Sequence, residues 1–277
     1  MPEPDEFAAV RRDPDPISRA RRATALLSTY QQRSTELARL RRAAVEEAYR
    51  SGMAYIQIAE EVGLTKGRIT QIRANAPGPE RVLFGVGPVS VVVPYRYQTT
   101  DRERLLLAAE DVAAAEHATR LLDSLGFTTT PFQVEPDTET LPAGDLFVIC
   151  GPKSAPAAAH LIEHDPLLTL ATDGHRWHIT ERATGAVSYS PMDQDPPEPA
   201  DVAYVSRRTD GERVITHVAG LHAIGSLGAV QHLADHTTDL YQTTGETSFS
   251  LIVASTHDDL QITSTTSAYG PQRWPTP

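Results

Sequence analysis

Two sets of residues have types and spacings suited to chemistry. The first lies in KGRITQIR, Lys66 to Arg73, where Lys66, Gly67, Thr70 and Gln71 fall on one outward side of a short helix and Arg68 and Arg73 flank it. Such residues can meet base edges in a DNA major groove, and the two guanidiniums can meet phosphates. The second set lies in two glycine-bearing loops, each following an apolar strand pattern and preceding a helical one. GPKS carries Gly151, Lys153 and Ser154, with Ser154 expected at the helix N-cap, and GLHAIGSLGA carries Gly220, His222, Gly225 and Ser226. Unpaired N–H groups at a helix start, a lysine charge, a hydroxyl and an imidazole together suit a small anionic or nucleotide-like ligand. Neither loop has dinucleotide-fingerprint spacing, and no segment matches GxxxxGK[ST].

The elements that must position the first set are readable in Tyr55–Ala74, YIQIAEEVGLTKGRITQIRA. Ile58, Ala59 and Val62 are spaced as the buried face of one helix, Gly63 permits a left-handed turn, Leu64 plugs the corner, and Ile69 and Ile72 form the buried face of a second helix. This is the pattern of a helix-turn-helix. The stretch resembles the DNA-reading part of sigma-70 region 4 and the helix-turn-helix units of many bacterial regulators. Ala59, Gly63 and Ile69 stand at that family's small, turn and apolar positions, and TKGRITQIR is similar to its recognition helix. The resemblance covers roughly residues 40–76 and implies binding of double-stranded DNA and a role in transcription regulation.

Ahead of this stretch, residues 17–50 lack Pro and Gly and are rich in Ala, Leu, Arg, Glu and Gln, so a long helix is expected. Leu26, Tyr30, Leu37, Leu40 and Ala44 form an apolar stripe interrupted by Arg33. The stripe needs a partner, either the helix-turn-helix or its own copy in a homodimer, and past Leu37 the helix-turn-helix is the expected one. Arg39, Arg41, Arg42 and Arg50 are further phosphate candidates. Residues 1–16 read as a flexible arm, 17–76 as the DNA-binding domain, 77–81 as a hinge, 82–268 as an α/β ligand-sensing domain and 269–277 as a tail.

After the hinge, β-branched runs alternate with Ala- and Leu-rich segments. This predicts a Rossmann-like α/β fold with a mixed or mostly parallel sheet. Strands are expected at 89–93, 132–134, 146–150, 167–171, 177–180, 187–189, 202–206, 214–219, 249–255 and 261–265, and helices at 101–125, 155–163 and 223–235. Tyr95 and Arg96 would share the loop edge if the first strand is parallel and central.

Formal charge is −11 over 277 residues, which taken whole argues against a nucleic-acid binder. The average conceals a division: residues 17–76 hold 11 Lys+Arg against 5 Asp+Glu, or +6, and residues 82–277 hold 11 against 25, or −14. A basic head on an acidic body confines phosphate attraction to one end. The single cysteine, Cys150, leaves no disulfide framework and no cysteine metal site within one chain. His160/His164 and His232/His236 have helical i,i+4 spacing but lack the Glu of HExxH, so no metal and no cofactor are expected. No apolar run reaches membrane-span length, and the acidic, Pro-rich start is unlike a signal peptide, so no membrane contact and a cytoplasmic location are expected. A nucleotide- or nucleoside-processing enzyme carrying a localisation module, with His222, Asp111 and Glu116 moving protons, is the alternative, and a purely structural interaction domain is another. No catalytic constellation assembles from spacing alone.

Overall fold

The computed structural model describes residues 6–99 and 103–275. The chain divides into two compact units, Met1–Gly78 and Pro79–Pro277.

The first unit is helical: α1 (Glu6–Arg12), α2 (Pro16–Arg50), α3 (Tyr55–Glu61) and α4 (Lys66–Asn75). Asp15 caps α2 by accepting from the Ser18 N–H at 2.7 Å, and Pro16 stands in the first turn, where a missing N–H costs nothing. The Gly63 N–H donates to Glu60 and the Leu64 N–H to Ala59, with Gly63 at φ 69°. That pair of bonds is a Schellman ending, which only a residue tolerant of positive φ makes without strain. Thr65 then caps α4, its hydroxyl accepting from the Arg68 N–H at 3.2 Å. Val45, Ile58, Ala59, Ile69 and Ile72 form the buried centre, with Ala48, Met53, Tyr55 and Leu64 packed around it.

The second unit begins with a 3-10 turn, Pro79–Phe84, followed by β1 (Val89–Pro94), β2 (Arg96–Thr99), β3 (Glu103–Leu106), α5 (Ala109–Ser124), β4 (Thr129–Val134), β5 (Asp145–Ile149) and α6 (Pro156–Glu163). Then come β6 (Leu168–Thr172), β7 (Trp177–Glu181), β8 (Val187–Tyr189), β9 (Ala200–Asp210), β10 (Arg213–Gly220), α7 (Ala223–Thr244), β11 (Phe249–Asp258) and β12 (Gln261–Arg273). The main sheet has seven strands in the order β12-β11-β9-β10-β5-β1-β4. β10, β5, β1 and β4 run parallel, and β9, β11 and β12 are added antiparallel. Side chains alternate across this sheet. Phe147 and Ile149 of β5 join the core under α5 and α7, whereas Leu146 and Val148 join the core under α6. A smaller sheet, β6-β7-β8, helps cover the second face through Leu168 and Ile179.

The polypeptide enters this unit under restraint. Arg81 is fully buried, donates to the carbonyls of Gly85 and Val86 and lies 3.7 Å from the centre of the Phe127 ring. Arg207 donates to the carbonyls of Val82 and Leu83. The Asp145 carboxylate accepts from the N–H groups of Val86, Gly87 and Val214, each at 2.7 Å. Residues 79–87 are therefore part of the second unit's framework, and the hinge expected at 77–81 does not extend to Arg81.

Several expectations need correction. Residues 6–12 of the expected arm are helical, with Phe7 against the Tyr30 ring, while residues 1–5 lie outside the described residues. Val62 is not on a buried face: it is the C-cap of α3 and is exposed. Leu37, Leu40 and Ala44 do not pack on the two short helices, because Val45 and Ala48 fill that contact. The helix expected from 101 begins at Ala109, since Glu103–Leu106 pairs with Arg96–Thr99 as a hairpin, and residues 100–102 lie outside the described residues. α7 continues past Asp235 to Thr244, with a kink at His236 next to Thr237, whose hydroxyl bonds back to the Leu233 carbonyl. The expected tail is largely strand, as β12 reaches Arg273 and Trp274 bonds to Ser248 and Ser250.

Among the described residues no helix is long and apolar enough to cross a membrane.

Beneath the sheet, His217 Nε2 donates to the Cys150 carbonyl at 2.7 Å, and its Nδ1 is buried without a partner. Burial holds this imidazole neutral and lowers its pKa to about 4, although the Cys150 bond acts in the opposite direction. An unfolded histidine titrates near 6.5, so this neutral state contributes stability that is complete above that pH and is lost as pH falls towards the folded value. Urea unfolding near pH 7 and near pH 4 should show wild type losing about 3 kcal/mol more than His217→Gln over that interval. Equal losses would show that His217 does not carry the dependence.

Candidate functional site

α4 contains two large apolar side chains, Ile69 and Ile72, and both are buried. Their spacing consumes one side of the helix, so Lys66, Gly67, Arg68, Thr70, Gln71 and Arg73 are all exposed. The exposed side is ordered by its own contacts. Arg68 donates to the Gln71 side-chain oxygen at 3.1 Å, and the Arg73 guanidinium lies 4.5 Å from the centre of the Tyr55 ring, which in turn stacks on Tyr49. A Cβ on Gly67 would meet nothing closer than the Thr65 hydroxyl at 3.9 Å, so nothing in the chain itself requires glycine there. Arg42 is committed elsewhere: it donates to the Ala76 carbonyl at 2.9 Å and pairs with Glu46, which holds the end of α4 to α2. Arg39 likewise pairs with Glu36.

The two glycine-bearing loops of the second unit lie side by side, because β5 and β10 are parallel neighbours and both loops leave the same sheet edge. Lys153 Nζ donates to the Leu221 carbonyl at 2.8 Å and so ties one loop to the other. The neighbouring strand β1 brings Arg96 to the same edge, where it pairs with Asp111 in the first turn of α5 at 2.7 Å. β9 runs the other way, so Asp201 at its start lies beside Gly220 at the end of β10. His222 Nε2 meets Asp193 Oδ1 at 2.9 Å, with the imidazole still partly open to solvent. The edge thus gathers Arg96, Lys153 and His222 with Asp111, Asp193 and Asp201.

These groups are electrically coupled. Burial raises the pKa of Asp111, and the Arg96 guanidinium opposes that rise. Burial also raises the pKa of Asp201, against the Ser190 hydroxyl and the N–H groups of Val202 and His222. Partial burial and then Arg96 lower the pKa of Lys153, while Asp201, Asp111 and Asp193 pull it back. Burial pushes the Cys150 thiol up to about 12, so it stays protonated and takes no part as a thiolate. Among the described residues no group of three or more His, Cys, Asp and Glu side chains is arranged to hold a metal ion.

Comparison of the chain with protein-family models, with curated proteins and with solved structures finds no match. The reading of both surfaces therefore rests on their geometry.

That geometry separates the expected ligand residues into two groups. Gly151, Lys153 and His222 border the open edge. Gly220, Gly225 and Ser226 are buried and serve the fold instead: the Ser226 hydroxyl accepts from the Gly220 N–H at 2.9 Å, and Asp201 Oδ2 accepts from the N–H groups of His222 and Gly225. A Cβ on Gly220 would strike the His222 carbonyl, and one on Gly225 would strike the Asp201 carboxylate. Ser154 does not cap α6; that position is Ala155, without a side-chain cap bond, and the Ser154 N–H closes a turn on Gly151. Asp193 and Asp201 were not anticipated. Their only signal is position, one within the Pro-rich, acidic residues 191–199 and one next to the apolar strand pattern at 202–206.

A cavity of about 730 Å³ lies against His117, Gln231, Asp235 and the β11–β12 turn and includes none of the expected ligand residues.

Two glycine substitutions separate packing from ligand approach. Gly225→Ala should cost the second unit about 2–4 kcal/mol in thermal or urea unfolding, because its methyl group collides with a buried carboxylate. Gly151→Ala, whose added Cβ meets nothing within 4 Å, should change stability by less than about 0.5 kcal/mol. Equal costs for the two would contradict the packing role of Gly225.

Proposed function

We propose that the chain is a DNA-binding transcriptional regulator in which α3 and α4 act as a helix-turn-helix of the sigma-70 region 4-like kind. α4 enters the major groove, with Lys66, Gly67, Thr70 and Gln71 towards base edges and Arg68 and Arg73 towards phosphates. The observation that carries this reading is the strict division of α4: both of its large apolar residues are buried, and everything else is polar, cationic or small and open to solvent. The charge division between the units supports it.

The second unit senses a small anionic or nucleotide-like ligand at the edge where β1, β5 and β10 end. The parallel block β10-β5-β1-β4 supports a Rossmann-like reading of this unit. Lys153 and Arg96 supply the cations, and the ligand shifts DNA affinity only insofar as it binds one arrangement of the protein better than another. The regulator works in the cytoplasm as a homodimer, since one helix in one groove reads few base pairs.

One observation favours a second reading, that the second unit processes nucleotides. The His222–Asp193 contact orients an accessible imidazole, as a general base requires, next to Leu221, whose carbonyl accepts from Lys153. Nucleotide turnover by the full chain, abolished in His222→Ala with saturable nucleotide binding retained, would favour the enzyme.

The test of the main reading is anisotropy titration of the full chain against a pool of randomised duplexes. Gln71→Ala should flatten the preference among sequences by about 1–3 kcal/mol at the affected base pair. Arg73→Ala should weaken all duplexes alike and reduce the salt slope by about one. Unchanged preference in Gln71→Ala would remove that residue from the reading face, and failure of wild type to retain any duplex in dilute buffer would overturn the reading as a whole.

A further inference from the structure

The first unit leaves an apolar surface uncovered. Leu37 is 67% exposed, Leu40 47% and Val62 54%. On α2 the residues 37, 40, 41, 44 and 48 follow helical spacing, so Leu37 and Leu40 continue the face that carries Arg41, Ala44 and Ala48. Those last three, with Met53 and Val62, line an apolar groove of about 370 Å³ between α2 and α3, and Glu61 stands on its rim. The N-terminal part of the same stripe is already engaged, because the Tyr30 ring packs at a tilt against Phe7 of α1 and its hydroxyl bonds to Glu6.

We infer that this surface is the interface with a second copy of the chain, the two α2 helices crossing antiparallel near Arg41–Ala44 so that Leu37 and Leu40 of each copy fill the groove of the other. Shape favours it. Around a two-fold axis between residues 42 and 43, Leu37 faces Ala48 and Arg41 faces Ala44. Large side chains thus meet small ones, and two helices can approach closely. Charge favours it as well. The rim carries one cation, Arg41, and one anion, Glu61, and neither has an ion-pair partner among the described residues. A rim with one charge of each sign has no net preference for an acidic or a basic partner, but it is complementary to itself, since the two-fold axis brings each Arg41 towards the other copy's Glu61. The inference gives a surface to the homodimer in the proposed function but stands without DNA binding, because association is measured with no duplex present.

The test is sedimentation equilibrium of the full chain and its variants. Wild type should be dimeric, and Leu37→Glu/Leu40→Glu should sediment as a monomer with unchanged far-UV circular dichroism. Arg41→Glu and Glu61→Arg should each weaken association about threefold to tenfold, two pairs being lost by symmetry, and the double exchange should restore it. A wild-type chain that is monomeric at concentrations on the order of 100 μM would overturn the inference. So would a dimer indifferent to the leucine substitutions, or a double exchange no tighter than either single variant.

Discussion

The first unit depends on one constraint: a core of five small and β-branched residues, Val45, Ile58, Ala59, Ile69 and Ile72, must hold three helices together. A core so small takes every large apolar residue that α4 has. α4 gives it both of its isoleucines, and the helix has only one way to face inward while doing so. The outward direction of Lys66, Gln71 and Arg73 is thus a consequence of packing. The local devices around the core serve the same end: the Gly63 Schellman ending, the Thr65 cap and the Arg42 bond to the Ala76 carbonyl set where α4 starts, turns and stops. Loss of any of these would re-aim the exposed face before it altered any residue on it.

In the second unit the corresponding constraint is a buried carboxylate. Asp201 receives two N–H groups from the start of α7, at a place where Gly220 and Gly225 have given up their side chains to let strand and helix meet. That knot aims His222 at Asp193 and puts the Leu221 carbonyl where Lys153 can reach it. The glycines that resemble a ligand cradle in the sequence are therefore part of the packing between strand and helix, and Lys153 and His222 are left at the open edge. Buried Asp145 does similar service at the opposite ends of these strands, where it fixes the incoming chain against β10.

What the sequence could and could not announce follows from the range of the interactions involved. The α3–turn–α4 pattern depends on contacts a few residues apart and on a positive φ at Gly63, and both leave marks in composition. β5 and β10 were visible because central parallel strands are buried on both faces and read as apolar runs. Glu, Arg and Leu are strong helix formers, so Glu103–Leu106 reads as helix in the sequence, and only its pairing with Arg96–Thr99 makes it a strand. The sequence marks only the first part of β12, because an edge strand rich in Thr and Ser lacks the apolar alternation of a half-buried one. Asp201 and Asp193 leave no mark in the sequence, since their partners lie 21 and 29 residues away and nothing local to a lone aspartate reveals such a partner.

The most direct measurement is hydrogen exchange by mass spectrometry on the full chain, with and without an excess of mixed-sequence duplex in dilute buffer. Added protection is expected in peptides spanning Thr65–Asn75, with peptides from the seven-stranded sheet unchanged. Protection confined to the second unit, with Thr65–Asn75 exchanging as in the free protein, would contradict DNA reading by α4.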